Sequence, residues 1–393
     1  MPERSSFTGA KTALMFLLPL ILLAGVIAIF LGTKGAGLKV EPVAPLESLA
    51  FERTVLEEHR IQLTVRNLSP EPVTLSTLNI NDAIWPFKVA PSATLPRLGQ
   101  AVVTLEYDWL PAEAYRISIF SANAIAFSTE IEAAAETPPR DAKTFWSFSL
   151  IGLYVGVIPV FLGIFWLPAL RRLGPGAFIF LMALTAGMLI YLGIDATQEA
   201  FELRQDIGDA LQGVGLIGIG LVGTFLLLQA ISQGPARGGR SEAAQRTSLA
   251  FLISIGIGLH NFGEGLAIGA AYSMGAAALG TYLVVGFIVQ NVTEGLGIIA
   301  PILRDRASLA KLALMGAIAG LPANLGCYLG GFNYYKPLAV LFFAIGAGAV
   351  FQVAWAIGKL LLRDMTKTPR PIVAFSGLLV GMAGLWLTGL FIK

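Results

Sequence analysis

The sequence contains few of the residues that form soluble surfaces or disulfide bonds. Charged residues occupy only 13% of its 393 positions, whereas a soluble domain carries roughly 25%. The single cysteine, Cys327, excludes an intrachain disulfide, and we expect its thiol to be packed as a small hydrophobic group. A net charge of +2 gives no indication of nucleic-acid binding. Because 55% of the residues are hydrophobic, the composition predicts a polytopic α-helical membrane protein.

Nine hydrophobic segments are long enough to cross a bilayer. The apolar core of a bilayer is about 30 Å thick and needs about 20 residues of helix. One segment stands alone near the N-terminus, and eight follow a long polar interval, which predicts one transmembrane helix and an eight-helix bundle over residues 141–393. The predicted spans are Leu14–Leu31, Phe145–Leu167, Phe178–Ile194, Ile207–Ile231, Leu249–Tyr272, Gly280–Leu303, Leu309–Leu329, Leu338–Leu361 and Ile372–Ile392.

The lysines and arginines between these spans predict the orientation. They cluster in alternate loops, which face the cytoplasm under the positive-inside rule, whereas the opposite loop at residues 195–206 is acidic. We therefore predict an integral protein of the plasma membrane with a cytoplasmic N-terminus and an extracytoplasmic C-terminus. The basic residues are Arg4, Lys11, Arg171, Arg172, Arg237, Arg240, Arg246, Arg304, Arg306, Lys311, Lys359, Arg363, Lys367 and Arg370.

Residues 1–35 are predicted to be a cytoplasmic N-terminus and a membrane anchor. The basic start and the small residues Gly35–Gly37 are also typical of a cleaved signal peptide. The apolar core of this segment is longer than the usual length of about 7–15 residues, which favours an uncleaved anchor. In either case the next segment is exported.

Residues 36–140 alternate in polarity with period two, which predicts an extracytoplasmic all-β sandwich. We expect an immunoglobulin-like sandwich that lacks the paired cysteines of antibody domains. His59, beside Glu57 and Glu58, is expected in an exposed loop rather than at a metal site. The residues expected to point inwards are Ile61, Leu63, Val65, Val103, Leu105, Tyr107, Tyr115, Ile117 and Ile119.

Two neighbouring spans carry polar residues that are costly in hydrocarbon. The first contains "GLHNFGEGLAIG" at residues 258–269, and the second contains "VQNVTEGLGIIAP" at residues 289–301. His260 and Glu264 are four residues apart, as are Gln290 and Glu294, so each pair shares a helix face, about 6 Å apart along the axis. Imidazole nitrogen and carboxylate oxygen suit Zn²⁺, Fe²⁺ or Mn²⁺. If the two faces meet, four ligands converge.

Glycines in both motifs are expected to let the two helices approach closely. The alternative is that the polar groups only hold helices together, His to Glu and Asn to Gln. Neither span carries a lysine or arginine near its glutamate, so only a cation or a proton can neutralise the carboxylates. This favours a metal site. The six glycines are Gly258, Gly263, Gly265, Gly269, Gly295 and Gly297.

Residues 145–393 resemble the ZIP family of divalent-metal transporters. The family's fourth helix carries His-Asn-x-Pro-Glu-Gly, matched by "HNFGEG" at His260–Gly265, and its fifth carries a related motif, matched by "QNVTEG" at Gln290–Gly295. Gly263 and Thr293 replace the motif prolines. "DATQEA" at residues 195–200 looks like the His…Pro-Glu-Ala stretch of the second family helix, with Asp in place of His.

The resemblance implies two metal sites. The first would use His260, Glu264, Gln290 and Glu294. The second would use Asn261, Asn291 and Glu294 with a carboxylate from the sixth family helix. Here that helix has "GLPANLG" at Gly320–Gly326 in place of Gly-Leu-Ala-Glu-Pro-Leu-Gly and supplies no carboxylate, so we expect the second site to be weakened or absent.

We therefore predict a transporter that moves a divalent transition metal toward the cytoplasm, with Zn²⁺ as first choice and Fe²⁺ and Mn²⁺ as alternatives. Asp195 and Glu199 would concentrate cations at the outer entrance. The protein is not expected to be an enzyme or to hold a prosthetic group; its partners are the metal ion and the lipid bilayer, with homodimerisation open. The β-sandwich would recruit metal, dimerise or bind a partner.

Two other functions remain as alternatives. One is a metal-dependent receptor or sensor that no longer conducts, because the second site is altered. The other is an intramembrane metal hydrolase, in which Zn²⁺ activates water and Glu264 acts as the base. The sequence contains neither an HExxH motif nor a serine–histidine arrangement, which disfavours the hydrolase.

Overall fold

The computed structural model describes most of the chain as two compact units, residues 1–46 and residues 47–393. The first unit contains one helix, α1 (Gly9–Gly32), which coincides with the predicted anchor. Some residues on which the sequence-based predictions rest lie outside the described residues. They are Arg4, Gly35–Gly37, Asp206, Arg237, Arg240 and Arg306. The described residues are 9–33, 46–131, 133–172, 174–205, 207, 211–233, 241–274, 277–305, 307–367 and 369–390.

The polar interval folds into two antiparallel sheets, called the β-domain below. One sheet has the order β1-β2-β7-β5 and the other β4-β3-β8-β9, with β6 also pairing with β3. The strands are β1 (Leu49–Glu57), β2 (Arg60–Asn67), β3 (Val73–Ile80), β4 (Ala83–Ile84), β5 (Lys88–Ala90), β6 (Thr94–Leu95), β7 (Gln100–Glu106), β8 (Tyr115–Ser121) and β9 (Ala126–Ile131).

The period-two pattern predicts the β-domain core correctly. Alternate residues of β2, β7 and β8 are buried in one cluster that both sheets share, whereas Tyr107 is only partly buried and packs edge-on against Trp85 and Tyr115. His59 lies in the turn between β1 and β2 with a positive φ of 57°. Its side chain is exposed, and the hydrogen bond to Asp108, 2.6 Å from Nδ1, raises its pKa.

The second unit continues into a helical bundle. Within the described part of the chain, seven helices are long and apolar enough to cross a membrane. The other two predicted spans fall on the apolar stretches 17–30, within helix Gly9–Gly32, and 371–387, within helix Pro371–Gly389. The helices are α2 (Ala142–Gly152), α3 (Ile158–Phe165), α4 (Leu167–Leu170), α5 (Pro175–Arg204), α6 (Gly213–Gln233), α7 (Glu242–Ser273), α8 (Ala277–Ile299), α9 (Leu309–Asn333), α10 (Lys336–Lys367) and α11 (Pro371–Gly389).

The acidic segment after the third predicted span is helical, and its prediction as a loop is wrong. Helix α5 continues to Arg204, more than two turns beyond the predicted end at Ile194. Ala196 and Ala200 are four residues apart and pack into a cluster with Phe343 of α10. No glycine or proline interrupts residues 194–204, so the burial of this alanine face extends the helix.

Helix α7, which carries the first polar motif, is the most buried of the seven candidate spans. Its closest neighbour is α9. A Cβ at Gly265 would clash with the carbonyl oxygen of Ala323, and Gly258 and Gly269 meet the α9 backbone in the same way. These glycines therefore allow the two helix backbones to approach closely.

The prediction that the motif glycines bring α7 and α8 together is wrong. The nearest contacts of the four glycines on α7 lie on α9 and α10, and those of the two glycines on α8 lie on α3 and α5. Helices α7 and α8 meet through their polar side chains instead. The buried Cys327 belongs to α9 and packs in a hydrophobic cluster with Ile268 of α7, as predicted.

Candidate metal site

Helix α7 places its histidine and glutamate side by side inside the bundle. His260 and Glu264 are 5% and 2% exposed, and Nε2 of the imidazole lies 3.4 Å from Oε1 of the carboxylate. The four-residue spacing puts both side chains on one face, as predicted. Asn261, between them in sequence, is fully buried.

Helix α8 brings its three polar residues to the same place. Gln290 donates from Nε2 to Oε1 of Glu264 at 2.7 Å, and Asn291 donates from Nδ2 to Oε2 at 3.1 Å. The Gln290 amide nitrogen also lies 3.4 Å from Nε2 of His260. Glu294 is 1% exposed. The two motifs therefore converge, as the sequence predicts.

Three ligand atoms form the centre of the cluster. One atom from each of His260, Glu264 and Glu294 lies within 4.8 Å of the other two, and all three residues are buried. Zn²⁺ requires nitrogen and oxygen ligands at roughly 2.0–2.2 Å, so the three side chains would have to move closer together to bind one ion. One imidazole and two carboxylates are also suitable for Fe²⁺ and Mn²⁺.

Four buried oxygen atoms around this centre have no hydrogen-bond donor. They are both carboxylate oxygens of Glu294 and Oδ1 of Asn261 and Asn291. The amides of Asn261 and Gln290 interact with the Glu294 carboxylate, yet neither oxygen accepts a hydrogen bond of ordinary geometry. Leaving a buried acceptor without a partner costs about 1–3 kcal/mol, so this group of oxygens fits a cation.

Of the pairings that the helix-adhesive alternative requires, His260 with Glu264 forms at 3.4 Å, but asparagine with glutamine does not. That alternative pairs Asn with Gln, but Asn261 donates to the backbone carbonyl of Ala319 on α9 at 3.2 Å. Asn291 donates to the carbonyl of Val155 at 2.9 Å. Each asparagine thus uses its amide nitrogen on a backbone acceptor, which leaves its carbonyl oxygen as the atom able to bind a ligand.

A proline in the first bundle helix explains why the Val155 carbonyl is available. Residues 153–157 form a π-helical turn between α2 and α3. Pro159 stands four residues after Val155 and has no N–H, so the α-helical donor for the Val155 carbonyl is missing. The Asn291 side chain donates in its place. Sequence reasoning missed this contribution, although Pro159 within an apolar span signals it.

Helix α9 contributes no carboxylate at this level. Ala323, within Gly320–Gly326, is fully buried and lies against Gly265 of α7 and Gly156 of the π-helical turn. The next residue, Asn324, donates from Nδ2 to the carbonyl of Ser149 at 2.9 Å, and its Oδ1 has no donor. The segment that carries an acidic residue in the family pattern therefore offers only an amide oxygen here.

The two residues predicted at the outer entrance lie on α5, outside the central trio. Asp195 and Glu199 are half-buried and one helical turn apart. The Asp195 carboxylate interacts electrostatically with the His260 imidazole. Asp195 is thus close enough to influence the cluster without belonging to it.

Within the described residues, seven candidate spans indicate a polytopic membrane protein, and its buried cluster contains residue types that can bind a metal ion. Residues 227–389 match the family described as ZIP zinc transporter. The chain is 33% identical over 109 residues to "Zinc transporter ZIP6" of Homo sapiens and of Pongo abelii, which is 27% of this chain and 14% of those proteins. It is 28% identical over 126 residues to "Zinc transporter ZIP10" of Mus musculus, which is 31% of this chain and 15% of that protein.

The helical part of the chain is thus similar to the ZIP family. The aligned part spans only about one seventh of the length of these relatives. The matched residues include both polar motifs, so the family match and the buried cluster concern the same helices.

Proposed function

We propose that this protein transports a divalent transition metal, Zn²⁺ in the first place, across the membrane through the site between α7 and α8. The observation that carries the proposal is the convergence of His260, Glu264 and Glu294 within a bundle that buries all three. Gln290, Asn261 and Asn291 complete the proposed ligand set.

The charge of the site supports a divalent ion. Two ionised carboxylates deep in a bundle are costly unless a cation compensates them. Beyond Arg246, neither α7 nor α8 contains a lysine or arginine. One M²⁺ ion neutralises Glu264 and Glu294 while neutral His260 supplies a nitrogen ligand.

The direction of transport follows from the predicted orientation. The basic ends of the helices face the cytoplasm, and Asp195 and Glu199 lie on the opposite side of the bundle, toward which α5 runs. An acidic outer entrance raises the local concentration of cations. Metal therefore enters from outside and leaves toward the cytoplasm of the plasma membrane.

The orientation predicts the accessibility of introduced cysteines. In a Cys327→Ser background, Ser76→Cys in the β-domain should react with an impermeant thiol reagent in sealed cells, because Ser76 is exposed and predicted to be outside. Gln245→Cys at the start of α7 should react only after permeabilisation. The reverse labelling pattern would show that the orientation is inverted.

Metal uptake into vesicles that contain the purified chain tests the function. Transport predicts accumulation of labelled Zn²⁺, with Fe²⁺ and Mn²⁺ compared in parallel, that empty vesicles lack. The absence of a carboxylate from Gly320–Gly326 favours one alternative, a receptor that binds metal without conducting it. Stoichiometric binding without accumulation of any of the three ions would replace the transporter by that receptor.

A further inference from the structure

A second candidate site lies at the N-terminal end of α7, several turns before the metal cluster. A cavity of about 320 Å³ opens where the C-terminal end of α6, the N-terminal end of α7 and the C-terminal half of α10 meet. The predicted orientation places this end of the bundle at the cytoplasmic surface of the membrane. The lining residues are Ser232, Gln233, Gln245, Arg246, Leu249, Leu252, Ala356, Lys359, Leu360 and Arg363.

The cavity contains three cations, and one of them is already neutralised. Arg246 makes a bidentate ion pair with Asp305, at 2.8 and 2.9 Å, and lies 3.5 Å from Glu242. An anion entering the cavity would therefore compete with Asp305 for Arg246. This excludes Arg246 as the main anion contact.

The other two cations, Lys359 and Arg363, differ from Arg246 in their contacts. They lie one turn apart on α10, about 6 Å along the helix axis, and both line the cavity. Among the side chains that the structure describes, no carboxylate lies within ion-pair distance of Lys359 or Arg363. The guanidinium of Arg363 donates to Oε1 of Gln245 at 3.0 Å, and this contact holds the guanidinium against α7. A guanidinium has five N–H donors, so further donors remain for an anion.

The rest of the lining is mixed, with polar Ser232, Gln233 and Gln245 beside three leucines and an alanine. Leu249 and Leu252 come from α7, and Leu360 lies on α10 between the two cations. Trp355 is 54% exposed, and the Lys359 ammonium lies 5.5 Å from the centre of its ring. A tryptophan beside a lysine is typical of the boundary between hydrocarbon and water. The cavity thus offers a cationic pair next to a hydrocarbon surface.

We propose that this cavity binds the phosphate of an anionic phospholipid, with Lys359 and Arg363 holding the phosphate oxygens and the leucines contacting the acyl chain. Arginine and lysine form strong charge-assisted hydrogen bonds to phosphate. Basic pockets between transmembrane helices at the cytoplasmic side bind such headgroups. The leucines in the lining favour a lipid over free phosphate, because an acyl chain gains apolar contact with them and a soluble ion does not.

The occupied cavity would join α6, α7 and α10 at their cytoplasmic ends. Helix α7 also carries His260 and Glu264, so a bound lipid stabilises the helix that presents the metal ligands. The proposal itself does not depend on metal transport, because it rests on the cations and walls of the cavity alone.

Thermal unfolding of the full chain in lipid nanodiscs tests the proposal. We compare phosphatidylcholine discs, the same discs containing phosphatidylglycerol, and phosphatidylcholine discs with millimolar inorganic phosphate. The variant Lys359→Gln/Arg363→Gln removes the proposed contacts. The control Arg172→Gln/Lys311→Gln removes two exposed cations from residues outside the cavity lining, with the same change in net charge.

Phosphatidylglycerol should raise the melting temperature of the wild type and of the control by several degrees, and that of the cavity variant by much less. Anionic lipid retained through purification should fall at least about tenfold in the cavity variant, because two charge-assisted contacts are lost. Equal rises in all three proteins would overturn the site. An equal rise in melting temperature with inorganic phosphate alone would show that free phosphate, and not a lipid, binds in the cavity. If the double variant fails to fold, Lys359→Gln alone takes its place, since Lys359 is exposed.

Discussion

Replacing Glu294 by glutamine is expected to abolish zinc uptake, with a loss of at least about 100-fold, the upper end of what removal of a supporting group costs a metal site. Glu294 is 1% exposed, and neither of its oxygens has a hydrogen-bond donor. Glutamine keeps the shape but removes the negative charge that holds the ion. Initial uptake rates of Zn²⁺ into vesicles measure the effect.

The matched control for this variant is Glu202→Gln. Glu202 is exposed near the end of α5 and accepts a hydrogen bond from Gln198 at 2.7 Å, so the same chemical change there should leave the uptake rate within about twofold, as expected of a surface substitution. Wild-type uptake by Glu294→Gln would remove this residue from the ligand set. Loss of uptake in both variants would mean that net charge, rather than the site, is responsible.

Pro159→Ala is expected to weaken zinc binding by about tenfold, a size typical of groups that orient a metal ligand, although Pro159 itself is not a proposed ligand. Alanine restores an N–H four residues after Val155, and this donor competes with Asn291 for the Val155 carbonyl. Once the Asn291 side chain is released from Val155, its Oδ1 is no longer fixed in position. Its hydrogen bond then no longer orients the Glu264 carboxylate. Zinc titration of the purified protein measures the affinity.

A double-mutant cycle separates this effect from general damage to the fold. Once Asn291→Ala has removed the side chain, adding Pro159→Ala should cost no further affinity, because coupled residues are not additive. The control is Pro175→Ala at the first turn of α5, where the missing N–H has no helical acceptor. Additive losses in the cycle would show that Pro159 does not act through Asn291.

The structure also changes the effect that we expect Asn291 to have on the transport rate. From sequence, Glu294 matters more, and Asn291→Ala should retain a measurable rate because a neutral amide is a weak ligand. The two bonds from the Asn291 amide to Glu264 and Val155 now add a positioning role. We therefore expect the rate of Asn291→Ala to lie between those of Glu294→Gln and the wild type.

Periodic patterns in the sequence predict much of the fold. Alternation identifies the inward residues of β2, β7 and β8 because one face of each sheet is buried. The four-residue spacing within each polar motif predicts that His260 and Glu264 share a face, and the repeat at Gln290 and Glu294 predicts the second half of the cluster. These features are local, so a single sequence reveals them.

Features that depend on which helices are neighbours could not be predicted in this way. The glycines of α7 face α9 and α10 rather than α8, and periodicity identifies a face without naming the helix that packs against it. The helical extension to Arg204 depends on Phe343 of α10. The Val155 carbonyl contributes to the site only because Asn291 of α8 donates a hydrogen bond to it from a neighbouring helix.

We propose that His260 and the two glutamates form a metal site and do not merely hold helices together. Thermal unfolding of the wild type and of His260→Ala, each with a chelator and with added Zn²⁺, distinguishes the two roles. Metal binding requires neutral His260, whereas helix adhesion requires its hydrogen bonds in the metal-free protein.

We predict similar melting temperatures for the two chelated proteins and a rise with Zn²⁺ in the wild type alone, because only the wild type keeps the nitrogen ligand. The chelated mutant loses little, since the 3.4 Å contact between His260 and Glu264 is long for a hydrogen bond. A much lower melting temperature of the chelated mutant, with no effect of Zn²⁺ on either protein, would contradict the metal site and assign the cluster to helix adhesion.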